Sequence, residues 1–209
     1  MNIKVLYHSS IKIESNINIY FDPFKIEVAS NDADVIFITH EHYDHFSPED
    51  ILKIKKENTI IVLPKNMENI ALDLNFEKTN IVLVEPNQKY KLENQELIFE
   101  TIPAYNVNKN FHKKEMNWVG YILEIEGKRV YVAGDTDITE ENKQVKCDIA
   151  LVPIGGTYTM KAKEAAELVN IIKPKIAIPI HYGAIVGNKE DEKIFVENVE
   201  KDIECKILL

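Results

Sequence analysis

Three apolar runs, "DVIFIT", "KRVYVAG" and "KIAIPI", each lead directly into or just short of a side chain able to bind a cation: His40, Asp135 and His181. Short runs rich in Ile and Val read as strands buried on both faces, and such strands hold a polar residue rigidly at their carboxyl ends. The remaining chain supplies partners for them. "NIKVLYH", "SIKIES" and "INIYFD" read as further strands of one sheet, and "SPEDILKIKKEN" starts a helix with Ser47 as cap and Pro48 in the first turn. Strand "TIIVLP", a short helix around "NMENIALDL", and strands "NIVLV", "QKYKL" and "QELIFETI" follow. A hairpin turning at Glu126 and Gly127 comes next, then strand "DIALVPI", helix "KAKEAAELVNIIK" closed by Pro174, strand "KIAIPIH", a helix around residues 189 to 200, and strand "ECKILL". Strands outnumber helices, and the helices follow single strands in each half. This order predicts an α/β fold of two sheets face to face with helices outside, a four-layer αββα sandwich formed as one domain over residues 1–209.

The stretch "THEHYDHF" spends three of the six histidines, His40, His42 and His45, within residues 39–46, together with Asp44. His40 and His42, two apart where a strand ends, can point the same way, while Asp44 and His45 on the turn into the helix face a second point close by. Two neighbouring metal positions follow. A single histidine at a strand end is more often capped or solvated than a ligand. Crowding three partly cationic rings beside an apolar strand is costly unless something neutralises or uses them, which favours a metal. A nitrogen and oxygen donor set without thiolate suits zinc, iron or manganese and does not fix which. Cys147 and Cys205 lack metal-type spacing and read as reduced thiols.

"HEHYDH" resembles the His-x-His-x-Asp-His signature of the metallo-β-lactamase fold superfamily, and "NIYFDPF", "VYVAGDTD" and "PIHYG" resemble its other motifs in the same order. The opening "YHSSIKIE" is similar to a small group of metal-dependent hydrolases related to lactonase-like members. The resemblance implies two divalent metal ions, with His40 and His42 on one, Asp44, His45 and His181 on the other, and Asp135 bridging. It implies a metal-bound water or hydroxide attacking a small ester, lactone or phosphodiester, with Asp44 and Asp135 as the catalytic residues and Asp44 helping to orient that nucleophile. Asp22 is expected behind a ligand, or simply in a turn with Pro23.

The chain departs from that pattern where most active relatives carry a further histidine, and Asn106 stands there. Either His112 swings in from the loop, or Asn106 binds weakly, or solvent completes the site. His8 falls at the end of the first strand and reads as a pocket residue or a satisfied strand end. Thr157 and Tyr158, in "GGTYTM", can bind a substrate anion or merely turn and cap. Lys109, Lys113 and Lys114 make their loop positive, which either draws an anionic small-molecule substrate or only solvates the loop.

A formal charge of −9 opposes a polynucleotide substrate, because that binding depends on phosphate neutralisation. With no apolar run of membrane-spanning length and no leader pattern at Met1, a cytoplasmic protein is expected. The missing histidine motivates a noncatalytic metal-binding or regulatory module as the alternative. A di-iron redox enzyme is a third reading, weakened by His42 where that branch usually carries an acid.

Overall fold

In the computed structural model, which describes residues 1–209, the Ile- and Val-rich runs pair into two sheets, one in each of two compact units, Met1–Glu85 and Pro86–Leu209. The first unit holds β1 (Asn2–Tyr7), β2 (Ser10–Glu14), β3 (Asn18–Phe21), β4 (Ala33–Phe37), β5 (Lys55–Pro64) and β6 (Ile81–Val84), adjacent in that order. β1 to β3 form an antiparallel meander, and β3 to β6 run parallel. The parallel crossovers carry α1 (Pro48–Ile54) and α2 (Glu68–Asp73), whose Ile51, Ile54 and Ala71 pack with Ile36, Ile38, Ile61 and Leu63 of the sheet. Asp22 and His40 therefore leave neighbouring parallel strands at the same sheet edge.

In the second unit, β7 (Lys89–Leu92), β8 (Leu97–Pro103), β9 (Val119–Ile125) and β10 (Lys128–Val132) are successive antiparallel strands. β11 (Ile149–Pro153), β12 (Ile176–Ile180) and β13 (Glu204–Cys205) continue the sheet in parallel beyond β10. The β9–β10 turn places Glu126 at φ 50° and Gly127 at φ 72°, the doubly left-handed geometry that matches strand twist in a two-residue hairpin. α3 (Ala162–Ile172) buries Ala165, Leu168, Val169 and Ile172, one helical stripe, against the core. It ends at Lys173 in the left-handed conformation, before Pro174. α4 (Lys189–Asn198) starts at Asn188, whose side chain accepts from the Glu190 amide.

Two sequence expectations are corrected. The helix begun at Ser47 stops at Ile54, because Lys55 is already extended and pairs with Ala33, and Thr59 anchors the turn by donating to the Ala33 carbonyl. Of "ECKILL", only Glu204 and Cys205 pair with β12. Both cysteines are free thiols, and burial pushes Cys147 up to about 12, which leaves it inert as a nucleophile. No helix is long and apolar enough to cross a membrane.

Asp32 closes the β2–β3 surface: Lys12, Tyr20 and Ser30 donate to it at 2.6, 2.7 and 2.5 Å. Partial burial opposes its charge, but these bonds outweigh it and bring the carboxyl down to about 2. A folded-state value below the unfolded one means the contribution is complete above the unfolded carboxylate range and disappears as pH falls through the folded value. Asp32→Asn should therefore cost roughly 1–2 kcal/mol at pH 6, after discounting for solvent screening, and the deficit should shrink towards zero between about pH 4 and 2. Urea titrations across that window measure it; a deficit that does not change with pH contradicts the assignment.

Candidate metal centre

In the first unit the site grows from the ends of β3 and β4. Ile38 carries the sheet pattern past β4 by donating to the Val62 carbonyl at 2.9 Å, so Thr39 and His40 leave a fixed edge. Asp22, 1% exposed, receives the Thr39 amide on Oδ1 at 2.8 Å and the Thr39 hydroxyl on Oδ2 at 2.7 Å. The same Oδ2 lies 2.7 Å from His45 Nδ1. Burial raises the Asp22 carboxyl above its ordinary value, while His45 and the two Thr39 bonds pull in the opposite direction.

These bonds set the tautomers. His45 donates Nδ1–H to Asp22, which puts its lone pair on Nε2. The Thr39 hydroxyl, having donated to Asp22, accepts from His40 Nδ1 at 2.9 Å, so His40 also presents a lone pair at Nε2. That nitrogen lies 3.1 Å from His42 Nδ1. Amides of His45 and Phe46 both donate to the His42 carbonyl, closing the turn that brings Asp44 and His45 back. Asp44 Oδ2 is 3.7 Å from His45 Nε2 and 3.5 Å from Nε2 of His8, a residue held at φ 53° in the bend between β1 and β2.

In the second unit, Asp135 follows β10 and His181 follows β12, at the carboxyl ends of parallel strands separated by β11. Gly120 lets the chain leave β10 closely: a Cβ there would lie 2.5 Å from the Ala133 carbonyl oxygen. Gly155, at the end of β11, supports His181, since its Cβ would sit 2.3 Å from the His181 carbonyl oxygen and 3.3 Å from Nδ1. His181 Nε2 lies 3.1 Å from Asp135 Oδ2, and His112 Nε2 lies 3.2 Å from the same oxygen. His112 arrives from the loop after β8 at φ 42°, with its Nδ1 3.0 Å from Asn106 Oδ1 and its ring edge-on to Trp118 at 5.5 Å.

This donor set fits divalent metal ions. Bonds of about 2.0–2.1 Å in a tetrahedral site place neighbouring donor atoms about 3.3 Å apart. The His40–His42, His112–Asp135 and His181–Asp135 separations of 3.1, 3.2 and 3.1 Å are close to such an edge. With Asn106 accepting from Nδ1, the His112 lone pair faces a carboxylate oxygen, and two acceptors in that contact repel unless a cation accompanies them.

Of the sequence candidates, His40, His42, Asp44 and His45 gather in the first unit with His8 and Asp22 beside them. Asp135, His181, His112 and Asn106 gather in the second. Asn106 lies behind His112, as its hydrogen-bond partner. Thr157 is exposed, and Tyr158 meets Phe111 edge to face with ring centroids 4.7 Å apart. Lys109 is bound by Asp137 and by the Thr159 carbonyl, and Lys114 pairs with Glu141 at 2.6 Å. Sequence reasoning missed Thr39 and Asp50. Asp50 ties the loop after β3 to α1 through the amides of Lys25 and Ile26, at 2.8 and 3.0 Å. Its spacing from Ser47 in "SPED" is that of a capping box, the signal that was available.

Comparison with known proteins bears on the fold and the family. The architecture is that of the metallo-β-lactamase fold: a metallo-β-lactamase fold protein of Bacillus subtilis, YhfI, has a TM-score of 0.73 over 96% of this chain and 88% of its own at 12% identity. A solved structure from Parabacteroides distasonis reaches a TM-score of 0.80 at 29% identity, covering 98% of this chain and 91% of that one. Residues 2–181 match the β-lactamase superfamily domain family, and the chain belongs to it. Over its full course it is similar to a protein of Methanosphaera stadtmanae named UPF0173 metal-dependent hydrolase, 31% identical with 97% of this chain and 93% of the relative covered.

Asp22→Asn would present an amide to His45 Nδ1 and disturb its tautomer, and zinc affinity should fall about 10–100-fold by competition with a chromophoric chelator. Unchanged affinity would show that Asp22 only shapes a turn. Gly155→Ala forces the His181 backbone to move, and should lose roughly 1–3 kcal/mol of stability in urea titrations. Full stability with full zinc affinity would contradict the close-packing role.

Proposed function

We propose that this chain is a metal-dependent hydrolase acting on a small ester, lactone or phosphodiester at a dinuclear centre assembled from both ligand groups. The observation that carries the reading is the spacing within each group: imidazole nitrogens stand one coordination edge from another imidazole or from a carboxylate oxygen, with His40 and His112 each held in one tautomer. The order of motifs along the family supports sharing of ions between the groups. On this reading His40, His42 and His112 serve one ion, Asp44, His45 and His181 the other, and Asp135 both. Zinc suits the donors first, with manganese or iron as alternatives. When bound, the ions supply Lewis acidity that lowers the pKa of water and offsets charge on the substrate oxygen.

The chain's own residues do the rest. Asp22, Thr39 and Asn106 hold His45, His40 and His112 in the tautomers that aim a lone pair at the centre. Asp44 takes a proton from the attacking water as the new bond forms to the acyl carbon or phosphorus. The leaving oxygen departs as the alcohol when that proton is returned to it. His8, 3.5 Å from Asp44 and fully buried, orients the carboxylate for both transfers.

Purified protein should lose hydrolysis of ester, lactone or phosphodiester panels on chelation and recover it on adding zinc or manganese. Asp44→Asn should lower kcat about 10²–10⁴-fold even when zinc is supplied in excess to keep the ion it shares with His45 and His181 in place. His112→Ala should release one ion, read by metal analysis and by a change in the emission of Trp118, the sole tryptophan. No metal-restored turnover on any of the three substrate classes, in protein holding two ions, would sink the hydrolase reading and favour a noncatalytic metal-binding module.

A further inference from the structure

The loop that delivers His112 presents apolar side chains outward while two of its lysines, Lys109 and Lys114, are paired with acids. Phe111 is 46% exposed and Val107 55% exposed. The loop carrying them is fastened on both sides. The Asn106 amide donates to the His112 carbonyl at 2.8 Å, the Val107 amide to Asp137 Oδ2 at 3.0 Å, and the Asp137 amide to the Tyr105 carbonyl at 3.0 Å. Lys109 acts as a latch: its ammonium spans Asp137 and the Thr159 carbonyl, which ties the loop to the turn after β11. Across that latch Phe111 meets Tyr158 edge to face, with ring centroids 4.7 Å apart.

The ammonium groups of this loop are balanced by acids. Lys109 is paired with Asp137, and Lys114 with Glu141 while also lying 4.7 Å over the Tyr105 ring. Lys113 and Glu115 add one charge of each sign, so three cations face three carboxylates in a chain of net charge −9. An anionic substrate gains little from such a field. An uncharged apolar group gains a rigid aromatic edge beside the chain position that turns His112 inward.

We propose that the Phe111–Tyr158 pair is the specificity surface of the site, taking the aromatic or branched apolar portion of an uncharged ester or lactone. The inference rests on the hydrolase reading for the position of the reacting bond and adds the substrate class to it. Lys109 then serves as a positioning residue for this wall.

The test uses the full chain loaded with zinc and titrates 4-phenylbutanamide, an uncharged amide, by calorimetry, with acetamide and phenyl phosphate alongside. The phenyl amide should bind at least about tenfold more tightly than acetamide. Phe111→Ala combined with Tyr158→Ala should remove that advantage, while Tyr158→Phe and Lys113→Ala leave it unchanged. In parallel, the ratio of kcat/KM between phenylbutanoyl and acetyl esters of one alcohol should fall about tenfold in the double variant, through KM. Equal binding of the amide by wild type and double variant overturns the proposal, as does phenyl phosphate binding more tightly than the amide in a manner lost with Lys113→Ala. Binding that follows expectation without hydrolysis of any ester would defeat the hydrolase reading and leave the apolar wall standing. Hydrolysis with no preference for the phenyl ester would do the reverse.

Discussion

Two imidazole nitrogens held 3.1 Å apart are the constraint on which the rest of the first ligand group depends. Nitrogens that close repel through their lone pairs unless a proton or a metal ion lies between or beside them. The chain fixes one of them deliberately: the Thr39 hydroxyl accepts from His40 Nδ1, and Asp22 takes the donors of Thr39 and His45. Asp22 is almost wholly buried to do this, at a desolvation cost that three hydrogen bonds to one carboxylate counter only in part, since the carboxyl stays above its ordinary value. The second unit repeats the principle with other parts. Asn106 orients His112, and two imidazoles converge on one oxygen of Asp135.

The sheets explain why such crowding persists. Asp22 and His40 leave adjacent parallel strands at one edge, and Asp135 and His181 leave parallel strands at one edge of the other sheet. Parallel strands with buried faces fix backbone position to within the tolerance that coordination needs. Loops contribute where strands cannot reach, and two of them are themselves tied: the helix start by Asp50 and the His112 loop by Lys109. Gly120 and Gly155 serve the same end, since a methyl group at either would strike the backbone that carries a ligand.

Much of this was legible in the sequence because strong local patterns carried it. The Ile and Val runs gave their strands, Ser47 and Pro48 gave the start of α1, and Glu126–Gly127 gave the hairpin, since each depends on neighbouring residues alone. The end of α1 was not legible, because "KIKKEN" suits a helix locally and only pairing of Lys55 with Ala33 in β4 draws it into a strand. The substitution of Asn106 for a histidine was visible, but not its consequence. That His112 turns inward depends on a left-handed φ at a non-glycine residue and on a hydrogen bond back to Asn106, neither of which spacing reveals. The three lysines of that loop suggest a positive field in the sequence, and that Lys109 and Lys114 are paired with Asp137 and Glu141, from a segment more than twenty residues away, is not visible there.

The most direct test is a crystal structure of the zinc-loaded protein recorded at the zinc absorption edge. Two anomalous peaks per chain are expected, one contacting His40, His42 and His112, the other Asp44, His45 and His181, with Asp135 reaching both. Zinc-replete crystals in which the His40 group and the Asp135 group hold no common ion would contradict this arrangement.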